Sequence, residues 1–224
     1  TINGDAGNDM IWGDLGADAI NGGADTDTVN YSLSSAVTVD LTVNPDFSQV
    51  ESDEPQTTIN QRFEVYYPER RPFFIENAGY FATLLRLFFS RRIRHPEYGA
   101  RTSGKLGPWV MGALIMDDRA PGEALDPNDE FHGARAANGV VRLQREFGRQ
   151  SRAGVFGSRR SFGQTSNEVA AVDSRWRITD NWVFTGQAAV SSTKAGEEER
   201  SSAPACFGSL YFNDRNWRWG VEYL

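Results

Sequence analysis

Glu168-Val169-Ala170-Ala171-Val172-Asp173-Ser174-Arg175-Trp176-Arg177-Ile178, the tight turn Thr179-Asp180-Asn181, and Trp182-Val183-Phe184-Thr185-Gly186-Gln187-Ala188-Ala189-Val190-Ser191 decide the fold of this chain. Both runs alternate with a period of two, the pattern of paired β-strands whose successive side chains point to opposite faces. One face carries Ala170, Val172, Trp176, Trp182, Phe184, Ala188 and Val190; the other carries Asp173, Arg175, Arg177, Thr185 and Gln187. A soluble sandwich also alternates, but its dry core would leave such charges unpaired. A water-filled lumen accepts them, so the pattern favours a transmembrane-type β-barrel, apolar outside and polar inside.

The same reading extends in both directions. Downstream, the charged loop 194–204 leads to a strand at Cys206–Asn213, a turn at 214–216, and Trp217, Trp219, Val221 and Tyr223 alternating with Arg218, Gly220 and Glu222. Upstream, strands are expected at Gly139–Phe147 and Arg152–Arg160, with a turn at 148–150 and a loop at 161–166. A long polar loop at 117–137 precedes them, and Gly104–Met116 reads as one strand apolar on both faces. Short and long connections that alternate, with Trp and Tyr near strand ends, mark outer-membrane barrels. Seven strands are counted and the last reaches Leu224 uncapped. Bacterial barrels usually have an even number, so an incomplete barrel is expected. Trp182, Phe184, Trp217 and Trp219 are expected to face lipid, and Arg175, Arg177 and Arg218 a wet interior.

The N-terminal segment follows a different rule. Gly4-Asp5-Ala6-Gly7-Asn8-Asp9-Met10-Ile11-Trp12 aligns at a period of nine with Gly13–Asn21 and with Gly22–Asn30. Gly stands at position one, Asp at position six and an aliphatic residue at position eight of each. Gly supplies the turn, and the aliphatic residue points inward from a very short strand. Two nonapeptides make one coil of a parallel β-roll, so residues 18 apart stack. The carboxylates of Asp9 and Asp27 then meet, with turn carbonyls such as those of Gly4, Gly7 and Gly22 between them. Oxygen ligands of this kind suit Ca²⁺. Asp18 is the equivalent candidate, but position 36, which would be its partner, is Ala36. These nonapeptides resemble the hemolysin-type calcium-binding repeats of RTX proteins. They depart from that consensus at Asp5 and Asp14, where the second Gly is expected, and at Asp25, where the fourth-position Gly is expected. Val37, Val39, Leu41 and Val43 then alternate in a strand leading out of the array.

Between the two patterns lie Asn44-Pro45-Asp46-Phe47-Ser48-Gln49-Val50-Glu51-Ser52-Asp53, the run Arg62-Phe63-Glu64-Val65-Tyr66-Tyr67-Pro68-Glu69-Arg70-Arg71-Pro72-Phe73-Phe74-Ile75-Glu76, and Leu87-Phe88-Phe89-Ser90-Arg91-Arg92-Ile93. From about residue 42 to the end, the chain resembles an uncharacterised bacterial family of outer-membrane-barrel-like domains. Members of that family usually follow a carbohydrate-binding module of the family-nine type. The resemblance implies a barrel fold and an outer-membrane or extracellular location in a Gram-negative bacterium; it implies no activity. The organisation is then a calcium-binding roll piece at 1–41, a lead-in segment at 42–100 and antiparallel barrel strands at 101–224. Physically, Pro68 and Pro72 bracket Glu69-Arg70-Arg71 as a polar turn with paired charges.

Charge and composition narrow the function further. Residues 1–60 hold eleven acids and neither Lys nor Arg, while residues 61–224 hold 19 acids and all 23 bases, for a net charge of −7. The acidic part attracts cations, and no basic run is dense enough to track phosphates, so nucleic acid is set aside. One cysteine, Cys206, and two histidines, His95 and His132, leave little for a disulfide or a zinc site. Gly99-Ala100-Arg101-Thr102-Ser103-Gly104-Lys105-Leu106 nearly spells a phosphate loop, but Leu106 stands where Ser or Thr must hold magnesium. Asp117, Asp118 and Glu197–Glu199 read as solvated loop charges. The resulting fold class is mainly β: a short parallel β-roll followed by antiparallel up-and-down strands of an incomplete transmembrane-type β-barrel. The expected role is non-enzymatic, with Ca²⁺ and outer-membrane lipid as partners and a glycan as a further candidate. A cell-surface carbohydrate-binding or degrading protein with a barrel anchor, and a soluble secreted calcium-dependent β-protein, are the alternatives.

Overall fold

The computed structural model describes residues 2–3, 10–13, 20–21, 28–34, 37–43, 45, 68–196, 199–215 and 217–223. The strands are Ile2–Asn3 (β1), Met10–Gly13 (β2), Ile20–Asn21 (β3), Thr28–Ser34 (β4), Val37–Val43 (β5), Tyr98–Leu106 (β6) and Trp109–Asp118 (β7), then Ala136–Phe147 (β8), Ser151–Phe162 (β9), Thr165–Arg177 (β10), Trp182–Lys194 (β11), Ser201–Asn213 (β12) and Arg218–Tyr223 (β13). From β4 to β13 each strand pairs antiparallel with the next, so period-two alternation is carried across the whole meander. β2 adds to β4 in parallel, completing an eleven-stranded sheet, and β1 and β3 form a separate parallel pair. Among the described residues no ladder joins β13 to β2, β6 or β7, so the sheet is open.

The parallel pairs have one offset. Ile2 lies opposite Ile20, and Met10 opposite Thr28, a step of 18 residues in each case. Two nine-residue units therefore separate each strand from its partner. Beyond them β5 pairs with β6 from Val37 against Gly104 to Val43 against Tyr98, joining this region to the antiparallel sheet.

The expected strand at Gly104–Met116 is two strands. β6 and β7 form a hairpin around Gly107-Pro108, with Gly107 at φ 57° in the left-handed region. The Gly-Pro pair breaks the run, and because outward positions are even-numbered in β6 and odd-numbered in β7, the undivided run reads as apolar on both faces. Eight strands, not seven, therefore lie between Tyr98 and Tyr223. The expected loop at 161–166 is also shorter, because β9 and β10 are joined directly across Gly163-Gln164.

The two faces of the sheet differ sharply. Ile115, Val141, Val155, Val172 and Val221 lie on one face and each leave more than half their surface exposed. The opposite face carries Asp40, Arg101, Ser103, Arg142, Asp173, Gln187 and Ser209, all buried. Residues 68–97 pack against that face as a short helical turn at Pro72–Ile75 (α1) and 3-10 turns at Ala78–Phe81 and Ser90–Arg92. Pro72 suits the start of α1, where its missing N–H costs no hydrogen bond. From this strap Phe73, Phe74, Phe81 and Ile93 pack with Leu114, Met116, Val140, Phe156 and Ala171 of the sheet. Each buried Phe contributes about 1.5–3 kcal/mol of transfer free energy.

Candidate functional site

The exposed apolar face has an aromatic rim at one end. The connections 107–108, 148–150, 178–181 and 214–217 lie at that end, whereas the two-residue turn Gly163-Gln164 and the connections 119–135 and 195–200 lie at the other. Next to the short turns, Trp182 sits 5.0 Å from Trp219 and 5.2 Å from Phe212, and Phe147 sits 6.5 Å from Trp176. The Arg145 guanidinium lies 5.5 Å from the Trp109 ring centroid. Alternation places Trp182, Phe184 and Trp219 on this face and Arg175, Arg177 and Arg218 on the other, the division read from the sequence, while Trp217, expected with them, precedes β13 and joins no ladder. The Arg175 and Arg177 side chains instead donate to the backbone oxygen and Oε1 of Gln150, respectively.

On the inner face the buried charges are paired. Arg101 meets Asp40 across the β5–β6 ladder and donates to the backbone oxygens of Phe73 and Glu76, which fixes the start of the strap. Its guanidinium carbon is 4.9 Å from the Phe73 ring centroid. Leu85 N–H donates to Gln187 Oε1 at 2.6 Å, tying the middle of the strap to β11. Pro68 and Pro72 do bracket a turn with paired charges. Arg71 binds Glu69 through Nε and Nη2 at 2.8 and 2.7 Å and donates to the backbone oxygens of Ile93 and Ser90, while the Ser90 hydroxyl donates to Glu69. Burial alone would raise the Glu69 pKa, but the hydrogen bonds from Arg71 and Ser90 outweigh it and hold the carboxyl below its ordinary value.

Asp117 and Asp118 are not solvated loop charges. Both end β7 and are buried. Asp118 Oδ1 accepts from the backbone N–H groups of Arg94, His95 and Ala120 at 3.2, 2.9 and 3.2 Å. Asp117 Oδ1 accepts from those of Glu97 and Tyr98 at 2.8 and 2.9 Å. The two carboxylates therefore clamp the end of the strap where it enters β6. Nearby, the exposed Glu123 carboxyl is held below its ordinary value by a 2.7 Å hydrogen bond with His95 Nδ1. The near phosphate loop at Gly99–Leu106 is part of β6, with Lys105 paired to Glu146 across the sheet. It has neither the loop nor the helix start that would cradle phosphate.

The candidate calcium residues Asp9, Asp18, Asp27, Gly4, Gly7 and Gly22 all lie outside the described residues. Among the described residues no three His, Cys, Asp or Glu side chains gather as a metal site would require. Among them, too, no helix is long and apolar enough to cross a membrane.

Compared with known families, residues 14–105 match one described as Domain of unknown function (DUF5916). The match begins within the second nonapeptide and ends in β6, so it starts and stops earlier than the resemblance from residue 42 implied. No curated protein and no solved structure matches the chain. What the chain is similar to is thus a family without an assigned activity, over the β3–β6 region and the strap.

Proposed function

We propose that this chain is a non-enzymatic, outer-membrane-associated protein in which a calcium-binding roll leads into the wall of a transmembrane-type β-barrel. The observation that carries the reading is the two-faced sheet: an exposed apolar face rimmed by tryptophan, backed by a face of buried paired charges. A water-soluble domain rarely leaves contiguous apolar patches beyond a few hundred Å² uncovered, whereas lipid requires them. Strand length agrees. β10, β11 and β12 each have 13 residues, which at about 3.3 Å per residue and a tilt of about 45° spans roughly 30 Å, the thickness of a bilayer's hydrocarbon core. Aromatic rings grouped beside short turns suit the headgroup boundary.

Calcium enters through the 18-residue offset. β1 with β3 and β2 with β4 are parallel at an offset of 18 residues, which is also the separation of Asp9 and Asp27 in the sequence. In this reading the two carboxylates and neighbouring turn carbonyls hold Ca²⁺, and the ion stabilises the roll by binding only its folded form. The test is co-sedimentation of the refolded chain with phosphatidylcholine vesicles, with and without a chelator. Stable, carbonate-resistant association supports the membrane reading. A chain that stays in the supernatant as a folded monomer contradicts it.

A further inference from the structure

On the exposed face, at the end away from the aromatic rim, a groove of about 790 Å³ runs over the outward side chains of β5 to β9. Leu41, Tyr98, Ala100 and Ile115 give it an apolar wall. Gly139 helps to keep it open, since a Cβ there would meet nothing within 4 Å. Arg159 lines the groove too, and its register opposite Gly139 and Glu168 sets it on the same face as Ile115. Its guanidinium is accessible. The side chain is 66% exposed, and its contact with Glu168 Oε1, at 3.6 Å, is longer than a hydrogen bond. Glu168 is engaged elsewhere, because its Oε2 accepts from Arg200 Nη1 at 2.9 Å, and Arg200 is half-exposed. One carboxylate thus faces two guanidiniums. Among the described residues neither has a further acceptor. Arg135, at the mouth of the groove, is paired with Glu97 and Asp117, so its charge is already balanced.

We infer that this groove seats an acyl chain of an anionic phospholipid, whose headgroup phosphate binds Arg159 and Arg200. The inference rests on the membrane reading and narrows it to a class of lipid. The two ends of the exposed face differ in charge: on β10, Trp176 stands beside the aromatic rim and Glu168, between its two arginines, at the opposite end. Aromatic rings suit a headgroup boundary of any charge, whereas surplus guanidinium at the other boundary favours a negative one. Guanidinium binds phosphate through paired, charge-assisted hydrogen bonds, and the unused N–H groups of Arg159 and Arg200 supply them.

The test is native mass spectrometry of the full chain, refolded in neutral-detergent micelles holding phosphatidic acid and phosphatidylcholine of the same acyl chains at equal mole fraction. Phosphatidic acid should be retained over phosphatidylcholine by at least about fivefold. Excess glycerol 3-phosphate should not displace it, which separates a lipid headgroup from a free phosphate. Arg159→Gln with Arg200→Gln should bring the ratio of the two lipids to about one, and Arg218→Gln, on the other face, should leave it unchanged. Gly139→Phe, which fills the groove without altering charge, should lower retention of phosphatidic acid by at least about fivefold, and it carries the test if the arginine variant does not fold. Equal retention of the two lipids, retention of neither, displacement by glycerol 3-phosphate, or a preference undiminished in either folded variant overturns the inference. Equal retention would leave the membrane reading standing, because co-sedimentation with zwitterionic vesicles decides that reading. A chain that fails to enter those vesicles overturns both.

Discussion

Arg142 on β8 and Asp173 on β10 form a two-pronged ion pair across the intervening strand β9, passing over Gly154. A Cβ at Gly154 would sit 3.3 Å from both guanidinium nitrogens of Arg142, so glycine is what leaves the crossing open. Side-chain exposures of 4% and 6% make this a desolvated pair. Breaking such a pair on one side leaves a charge uncompensated. Arg142→Met should therefore destabilise the protein by about 3–5 kcal/mol, and Arg142→Met with Asp173→Leu should recover most of that loss. Denaturant melts of the two variants and of Gly154→Val, which should weaken the same pair, check the geometry; equal stability of the single and double variants would contradict it.

The strap should loosen in acid. The Glu69 carboxyl is held below its ordinary value of 4.5, because bonds from Arg71 and Ser90 outweigh its burial. A carboxylate depressed in this way adds stability that is complete above its unfolded value, about 4.5, and is lost as pH falls through the lower folded value. Hydroxyl-radical footprinting from pH 6 to 3 should show Phe73 and Phe74 becoming reactive below about pH 4.5. Glu69→Gln should flatten that dependence; an unchanged profile in the variant would assign the transition to other carboxylates.

Asp118 should matter more for the strap than for the sheet. Asp118→Ala leaves the backbone N–H groups of Arg94, His95 and Ala120 without their acceptor, at about 1–3 kcal/mol for each donor left buried. Trypsin should then cut at Arg91, Arg92 and Arg94 while β8–β12 remain protected. Cleavage no faster than in the parent chain would remove Asp118 from its clamping role.

The strands from β8 onward were legible because apolar, exposed positions alternate with polar positions of the opposite face, as at Val172 and Asp173 or at Trp219 and Arg218. The hairpin at Gly107-Pro108 was hidden by apolar residues on both sides of the turn, although the Gly-Pro pair was the available signal. The strap was not legible. Its anchors join positions far apart in sequence, Leu85 to Gln187 and Phe73 to Arg101, and residues 68–97 have no period to reveal which face they cover. Asp117 and Asp118 looked solvated for a related reason: their partners are backbone N–H groups, which every sequence has and none announces. The nine-residue repeat pointed to an 18-residue step, the offset at which β1 pairs with β3 and β2 with β4.

If that step builds a calcium site, Asp9→Ala with Asp27→Ala should abolish the tightest calcium isotherm in titration calorimetry and lower the melting temperature measured in excess calcium. Removing calcium from the parent chain should mimic the double substitution. Identical isotherms for parent and variant would leave residues 4–30 without a metal role.

The central claim is that the exposed face of the sheet meets lipid while the charged face does not. Tryptophan fluorescence in vesicles of brominated phosphatidylcholine tests it most directly, since five of the six tryptophans lie between Trp109 and Trp219. Trp176, Trp182 and Trp219 stand on the apolar face and should be quenched strongly, most by bromines placed high on the acyl chains, because the aromatic rim lies at one end of the strands. Replacing those three together with Trp109 and Trp217 by Phe should abolish most of the quenching. Fluorescence that the brominated lipid leaves unchanged, in a chain with intact β-structure, would contradict the account.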